Sequence, residues 1–141
     1  MATSRTTCDQ RQSPAEVRAA FRVLLVEPSG PIRAILRRIL RELTRCQVVE
    51  ATNGHAALAR FLDGQFDLVI TDRQLAVLDG LSLSKEIRHR SPKIPILMIA
   101  SKSAREEILE AVHAGVSDYV IKPFDRATIK QKLAHWATAF S

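Results

Sequence analysis

Residues 66–72 read Phe66-Asp67-Leu68-Val69-Ile70-Thr71-Asp72, and this stretch decides the fold. Leu68 to Thr71 are apolar or β-branched without alternation, the texture of a strand covered on both faces in a parallel sheet. Asp72 then leaves the sheet at its C-terminal edge, where open α/β sheets place their sites. Two further strands end the same way. Val23-Leu24-Leu25-Val26 delivers Glu27, and Tyr119-Val120-Ile121 delivers Lys122, followed by Pro123. Two acids and one lysine at strand ends make a candidate phosphate or metal site.

Working outward, strand and helix patterns alternate. After the first strand, Ile32, Ile35, Leu36, Ile39, Leu40 and Leu43 recur at helical spacing, with Arg33, Arg37 and Arg41 on the other side. Gln47 to Ala51 reads as the second strand. Asn53-Gly54 precedes a helix carrying Ala57, Leu58, Phe61 and Leu62, stopped by Gly64. Past the Asp72 loop, Asp79 caps a helix with Leu81, Leu83 and Ile87, which Ser91-Pro92 breaks. Ile94 to Ile99 is the fourth strand. Ser103-Ala104-Arg105-Glu106 has the form of a capping box and starts a helix through His113, closed by Gly115. The last helix places Ile129, Leu133, Trp136 and Phe140 on one stripe. Five strands alternating with five helices predict an α/β three-layer sandwich around a parallel sheet. Residues 1–20 read as a disordered or partly helical leader, with a helix start at Ser13-Pro14-Ala15-Glu16, and residues 21–141 as one domain.

The chain has 141 residues, enough for one real core, and a net charge of +6. That charge alone is a weak argument for nucleic acid, and no recognised nucleic-acid motif accompanies it. Cys8 and Cys46 offer neither a disulfide framework nor zinc spacing. No segment has transmembrane length and the leader has no signal-peptide centre, so a cytoplasmic protein without membrane attachment is expected. His55, His89, His113 and His135 stand on helices without partners at metal spacing. No second catalytic group or cofactor fingerprint appears, so an enzyme acting on a diffusing substrate is not expected.

Leu25-Val26-Glu27, Thr71-Asp72 with Leu78-Asp79-Gly80, Ala114-Gly115, and Tyr119-Val120-Ile121-Lys122-Pro123-Phe124 together carry a resemblance. From about Arg22 to Ala139 the chain resembles the receiver domains of two-component response regulators, of the chemotaxis type. The resemblance implies a flavodoxin-like sheet in strand order 2-1-3-4-5. It implies that Asp72 accepts a phosphoryl group from a phosphohistidine, a reaction governed by positioning and charge neutralisation. It further implies Lys122 as a catalytic cation, and Tyr119 as the aromatic that reports the state. A Mg2+ ion would be held by Asp72, by acids after the first strand (here Glu27) and by the Gln74 backbone carbonyl.

The chain departs from that pattern at two positions. Pro28 stands where the more direct metal acid would be, and proline offers no side-chain oxygen. Weak or absent magnesium binding follows. Ala100 stands where the switch hydroxyl would be. Ser101 is adjacent, but neighbours in an extended segment point to opposite faces. Lys122 could then act as a built-in counter-ion to Asp72 and Glu27.

Three functions compete at this point. The first is a stand-alone atypical receiver in a phosphorelay, with Asp72 as an impaired acceptor and output through protein contact. The second is a phosphorylation-independent pseudo-receiver that binds a partner. The third, disfavoured, is a basic nucleic-acid-binding protein. A sensor histidine kinase or histidine phosphotransferase is the expected partner, docking on the helix of Arg33, Arg37 and Arg41, with an unknown protein downstream. An exposed face of the last two helices could also serve a homodimer.

Overall fold

The computed structural model describes residues 21–101 and 104–137. Its elements are β1 (Phe21–Val26), α1 (Gly30–Leu43), β2 (Cys46–Ala51), α2 (Gly54–Leu62), β3 (Leu68–Asp72), α3 (Gly80–Arg90), β4 (Ile96–Ala100), α4 (Arg105–His113), β5 (Asp118–Ile121) and α5 (Arg126–Ala137). Every ladder is parallel and the sheet runs β2-β1-β3-β4-β5, the expected order. The expected leader, Cys8 and Phe140 lie outside the described residues.

Strand alternation divides the core between the two faces of the sheet. Phe21, Val23 and Leu25 of β1, Leu68 and Ile70 of β3, and Leu97 and Ile99 of β4 pack with Leu36, Ile39 and Leu40 of α1 and Ile129 and Leu133 of α5. Leu24, Val26, Val69, Ile96 and Met98 pack on the other face with Ala57 of α2, Leu83 and Ile87 of α3 and Ala111 of α4. The strands therefore had to be apolar on both sides, which is why the central ones show no polar alternation.

Helix starts follow local chemistry. Ser29, Asn53 and Asp79 each accept a hydrogen bond from the N–H three residues on, at the heads of α1, α2 and α3. At α4 the Ser103 of the expected capping box lies outside the described residues; Ala104 holds the cap position and makes no side-chain bond. Two strand starts also differ from expectation. Pro95 has no N–H for the ladder, so β4 begins at Ile96. Asp67 uses its carboxylate on the Arg22 N–H at 2.8 Å, ahead of β3.

The loop after β3 contains a strained valine. Val77 has φ 72°, and the Leu78 N–H reaches back across it to the Ala76 carbonyl at 2.8 Å, a γ-turn. Its side chain is 82% exposed, so no burial offsets the left-handed backbone. Val77→Gly should raise the unfolding free energy by about 1 kcal/mol, read from urea denaturation.

Candidate functional site

Glu27 follows β1, Asp72 ends β3 and Lys122 follows β5, so parallel strands bring all three to one edge of the sheet. In residue count each continues the alternation of Leu25, Ile70 or Val120, the residues that face α1 and α5. The side chains meet. Lys122 Nζ lies 2.5 Å from Asp72 Oδ2 and 3.1 Å from Glu27 Oε1. Glu27 and Asp72 are buried at 2% and 6% exposure, so their charges depend on this lysine rather than on water.

Backbone groups fix the carboxylates further. The Ser29 N–H donates to Glu27 Oε2 at 3.0 Å, and the Gln74 N–H donates to Asp72 Oδ1 at 2.9 Å. Close glycine contacts set the loop that makes the second bond. A Cβ on Gly80 would stand 2.3 Å from the Asp72 carbonyl oxygen, and one on Gly54 would stand 1.8 Å from that of Leu78. Neither backbone approach tolerates a side chain.

The titration behaviour follows from burial and charge. Burial raises the Glu27 carboxyl above the ordinary glutamate value and the neighbouring Asp72 charge adds to this. The Ser29 N–H and Lys122 work in the opposite direction. Burial disfavours the Lys122 ammonium, but hydrogen bonds and charges from Asp72 and Glu27 together outweigh it and hold the lysine above its ordinary value. Glu27 Oε1 is buried and has no hydrogen-bond partner beyond the ion pair with Lys122. Among the described residues no group of three or more His, Cys, Asp or Glu side chains is placed to hold a metal ion.

Ala100 is buried at the end of β4, and Ser101 next to it is exposed. Both line a cleft of about 110 Å3 with Arg73, Gln74 and Glu107. Tyr119 is half-buried, and Arg73 Nη1 donates to its hydroxyl at 3.5 Å. Sequence reasoning passed over Arg73, because no local pattern reports a contact to α4 or β5.

The arginines of α1 separate into two groups. Arg33 and Arg37 are tied to Glu50 of β2 at 3.0 and 2.6 Å, and Arg33 also donates to the Glu27 carbonyl at 2.8 Å. Arg41 is exposed, as is Arg38. Two of the three arginines expected on a docking surface are thus engaged in brackets within the fold.

The family model of the response regulator receiver domain matches residues 23–134. The chemotaxis protein CheY-3 of Vibrio cholerae serotype O1 is 39% identical over 115 residues, 80% of this chain and 88% of that protein. The chemotaxis protein CheY of Pseudomonas aeruginosa is 33% identical over 80% of this chain and 93% of its own length. The solved structure of chemotaxis response regulator CheY4 of Vibrio cholerae superposes with a TM-score of 0.77 at 29% identity, covering 82% of this chain and 98% of that one. The receiver domain of sensor histidine kinase PA1611 from Pseudomonas aeruginosa, solved with a magnesium ion in its active-site cleft, superposes at 0.75 with 28% identity, covering 84% and 98%.

Lys122→Met should cost about 3 kcal/mol of stability at neutral pH, because two buried carboxylates lose their cation. The loss should shrink in mild acid. A carboxyl raised in the folded state, as Glu27 is, favours folding below the ordinary glutamate value and loses that contribution as pH rises through its raised value. Urea unfolding of both proteins across the acid range reads the difference.

Proposed function

Since the chain belongs to the response regulator receiver domain family, a signalling module of two-component phosphorelays, we propose that Asp72 is its phosphoacceptor and that the site is impaired. The observation that carries this reading is the Glu27–Lys122–Asp72 cluster, closed by distances of 3.1 and 2.5 Å at the sheet edge. In transfer, an Asp72 carboxylate oxygen attacks the phosphorus of a phosphohistidine. The P–N bond breaks, an acyl phosphate forms, and the imidazole leaves with the bonding pair and takes up a proton. Lys122 offsets the charge gathered on the phosphoryl oxygens, and the Gln74 N–H orients the carboxylate.

The donor set does not suit magnesium. Glu27 and Asp72 supply two carboxylates, Pro28 supplies none, and Lys122 already bridges the pair. Mg2+ demands near-octahedral oxygens at short distance. Oε1 of Glu27 belongs to one of these two carboxylates, is already ion-paired with Lys122, and does not replace a missing charge. Ala100 likewise offers no hydroxyl to a phosphoryl group, and the exposed Ser101 does not stand in for it. Transfer is therefore slow, and partner contact by the unmodified protein is the second reading. The expected partner, a histidine kinase or histidine phosphotransferase, meets α1 through the exposed Arg38 and Arg41 rather than through Arg33 and Arg37. The leader at residues 1–20 and a cytoplasmic location belong to the same proposal. No helix of the described residues is long and apolar enough to cross a membrane.

Incubation with an active cognate kinase and labelled ATP tests the acceptor, with Asp72→Asn as the blank. Each missing charge-assisted contact should slow transfer by about one to two decades. Pro28→Asp combined with Ala100→Thr should restore more than the two single changes together, because both groups would hold one phosphoryl. In a magnesium titration, amide shifts at Glu27, Asp72 and Gln74 should stay flat in the native protein and become saturable in Pro28→Asp. Rapid stoichiometric labelling of the native chain would refute the impairment.

A further inference from the structure

Arg73 directly follows the proposed acceptor, yet it serves the opposite layer. Val69 packs on the α2, α3 and α4 face, and Arg73 continues that parity, as Ala100 continues that of Met98. Its guanidinium spans that layer. Nη1 donates to the Glu107 carbonyl at 2.7 Å and to the Tyr119 hydroxyl at 3.5 Å, and Nη2 pairs with Glu110 at 2.6 Å. The Arg73 side chain is only 12% exposed. Its backbone is held equally firmly, with the N–H on the Ile99 carbonyl at 2.8 Å and the carbonyl on the Gly80 N–H at 2.9 Å.

The helix it grips has little other anchorage. Among its residues α4 fully buries only Ala111, its cap residue Ala104 makes no side-chain bond, and Leu109 and Val112 are exposed. A helix that buries one small residue fully and Ile108 in part is more easily displaced than one with a full apolar stripe. A guanidinium with three acceptors on α4 and β5 is thus a main determinant of where α4 lies.

We propose that Arg73 is the coupling residue of this chain, a bridge that makes the position of α4 and the setting of the Tyr119 hydroxyl depend on the charge at Asp72. The route is short. Asp72 Oδ1 holds the Gln74 N–H at 2.9 Å, so the carboxylate is tied directly to the peptide that follows the Arg73 Cα. Phosphorylation also turns a carboxylate of charge −1 into an acyl phosphate of about −2, and this one further negative charge competes with Glu110 for the guanidinium. Ala100, without a hydroxyl, lines the same cleft as Arg73 and leaves room for it. The signalling role of the bridge rests on the reading of Asp72 as acceptor, whereas the bridge itself does not.

Tyr119 is the single tyrosine of the chain, so 3-fluorotyrosine labels it alone. Asp72→Asn should move its 19F line in the native background, and the displacement should fall about fivefold or more when Arg73→Ala is added. Amide exchange over 105–113 should accelerate about tenfold in Arg73→Ala, with α1 and α3 unchanged. Arg73→Lys should recover part of the coupling, since lysine keeps the charge and loses the fork. Should Arg73→Ala fail to fold, Glu110→Ala removes only a 60% exposed partner and should still accelerate exchange in α4 about twofold. An absent 19F displacement, or one of equal size with and without Arg73, would overturn the proposal, as would unchanged α4 exchange in both variants. Absence of phosphotransfer to Asp72 would defeat the acceptor reading alone and leave these results standing.

Discussion

Two carboxylates driven out of water at one sheet edge must be balanced by a cation, and this constraint organises the molecule. Three parallel strands have to end in register for Glu27, Asp72 and Lys122 to meet. The register is fixed by two apolar layers, one on each face, which any one-residue slip would invert. The loop that presents the Gln74 N–H is held by backbone approaches at Gly54 and Gly80 that leave no space for a Cβ. The scaffold is therefore rigid where the charges sit and looser at α4, whose only fully buried residue is an alanine. That contrast between a fixed charge cluster and a lightly anchored helix is what a switching module needs.

The sequence carried the fold in its periodicities. Unbroken apolar runs such as Leu68 to Thr71, alternating with helical stripes such as Ile32 to Leu43, settled a parallel α/β sheet, and strand-end position singled out Glu27, Asp72 and Lys122. Three kinds of information were not legible. The Arg73 contacts span 34 to 46 residues, and no local pattern encodes which helix a long side chain will reach. Arg33 and Arg37 fell on the polar side of a stripe and read as a free basic face. Their partner Glu50 lies on β2, which becomes a neighbour only once the sheet forms. The left-handed Val77 contradicts the preference of its own residue type, so local propensity pointed away from it. Helix caps show the same limit in miniature. Ser29, Asn53 and Asp79 act as their residue types suggest, while Ala104 takes a cap position that composition would not assign to it.

The two open edges of the sheet share one device. β2 and β5 are the outer strands, and each carries a carboxylate pinned by its neighbouring helix: Glu50 by Arg33 and Arg37 of α1, and Asp118 by Lys132 of α5 at 2.9 Å. An incoming strand would have to desolvate one of these ion pairs before it could satisfy a single backbone group. Both edges thus carry the same obstacle to strand-by-strand accretion, a charge that is already spent on holding a helix against the sheet.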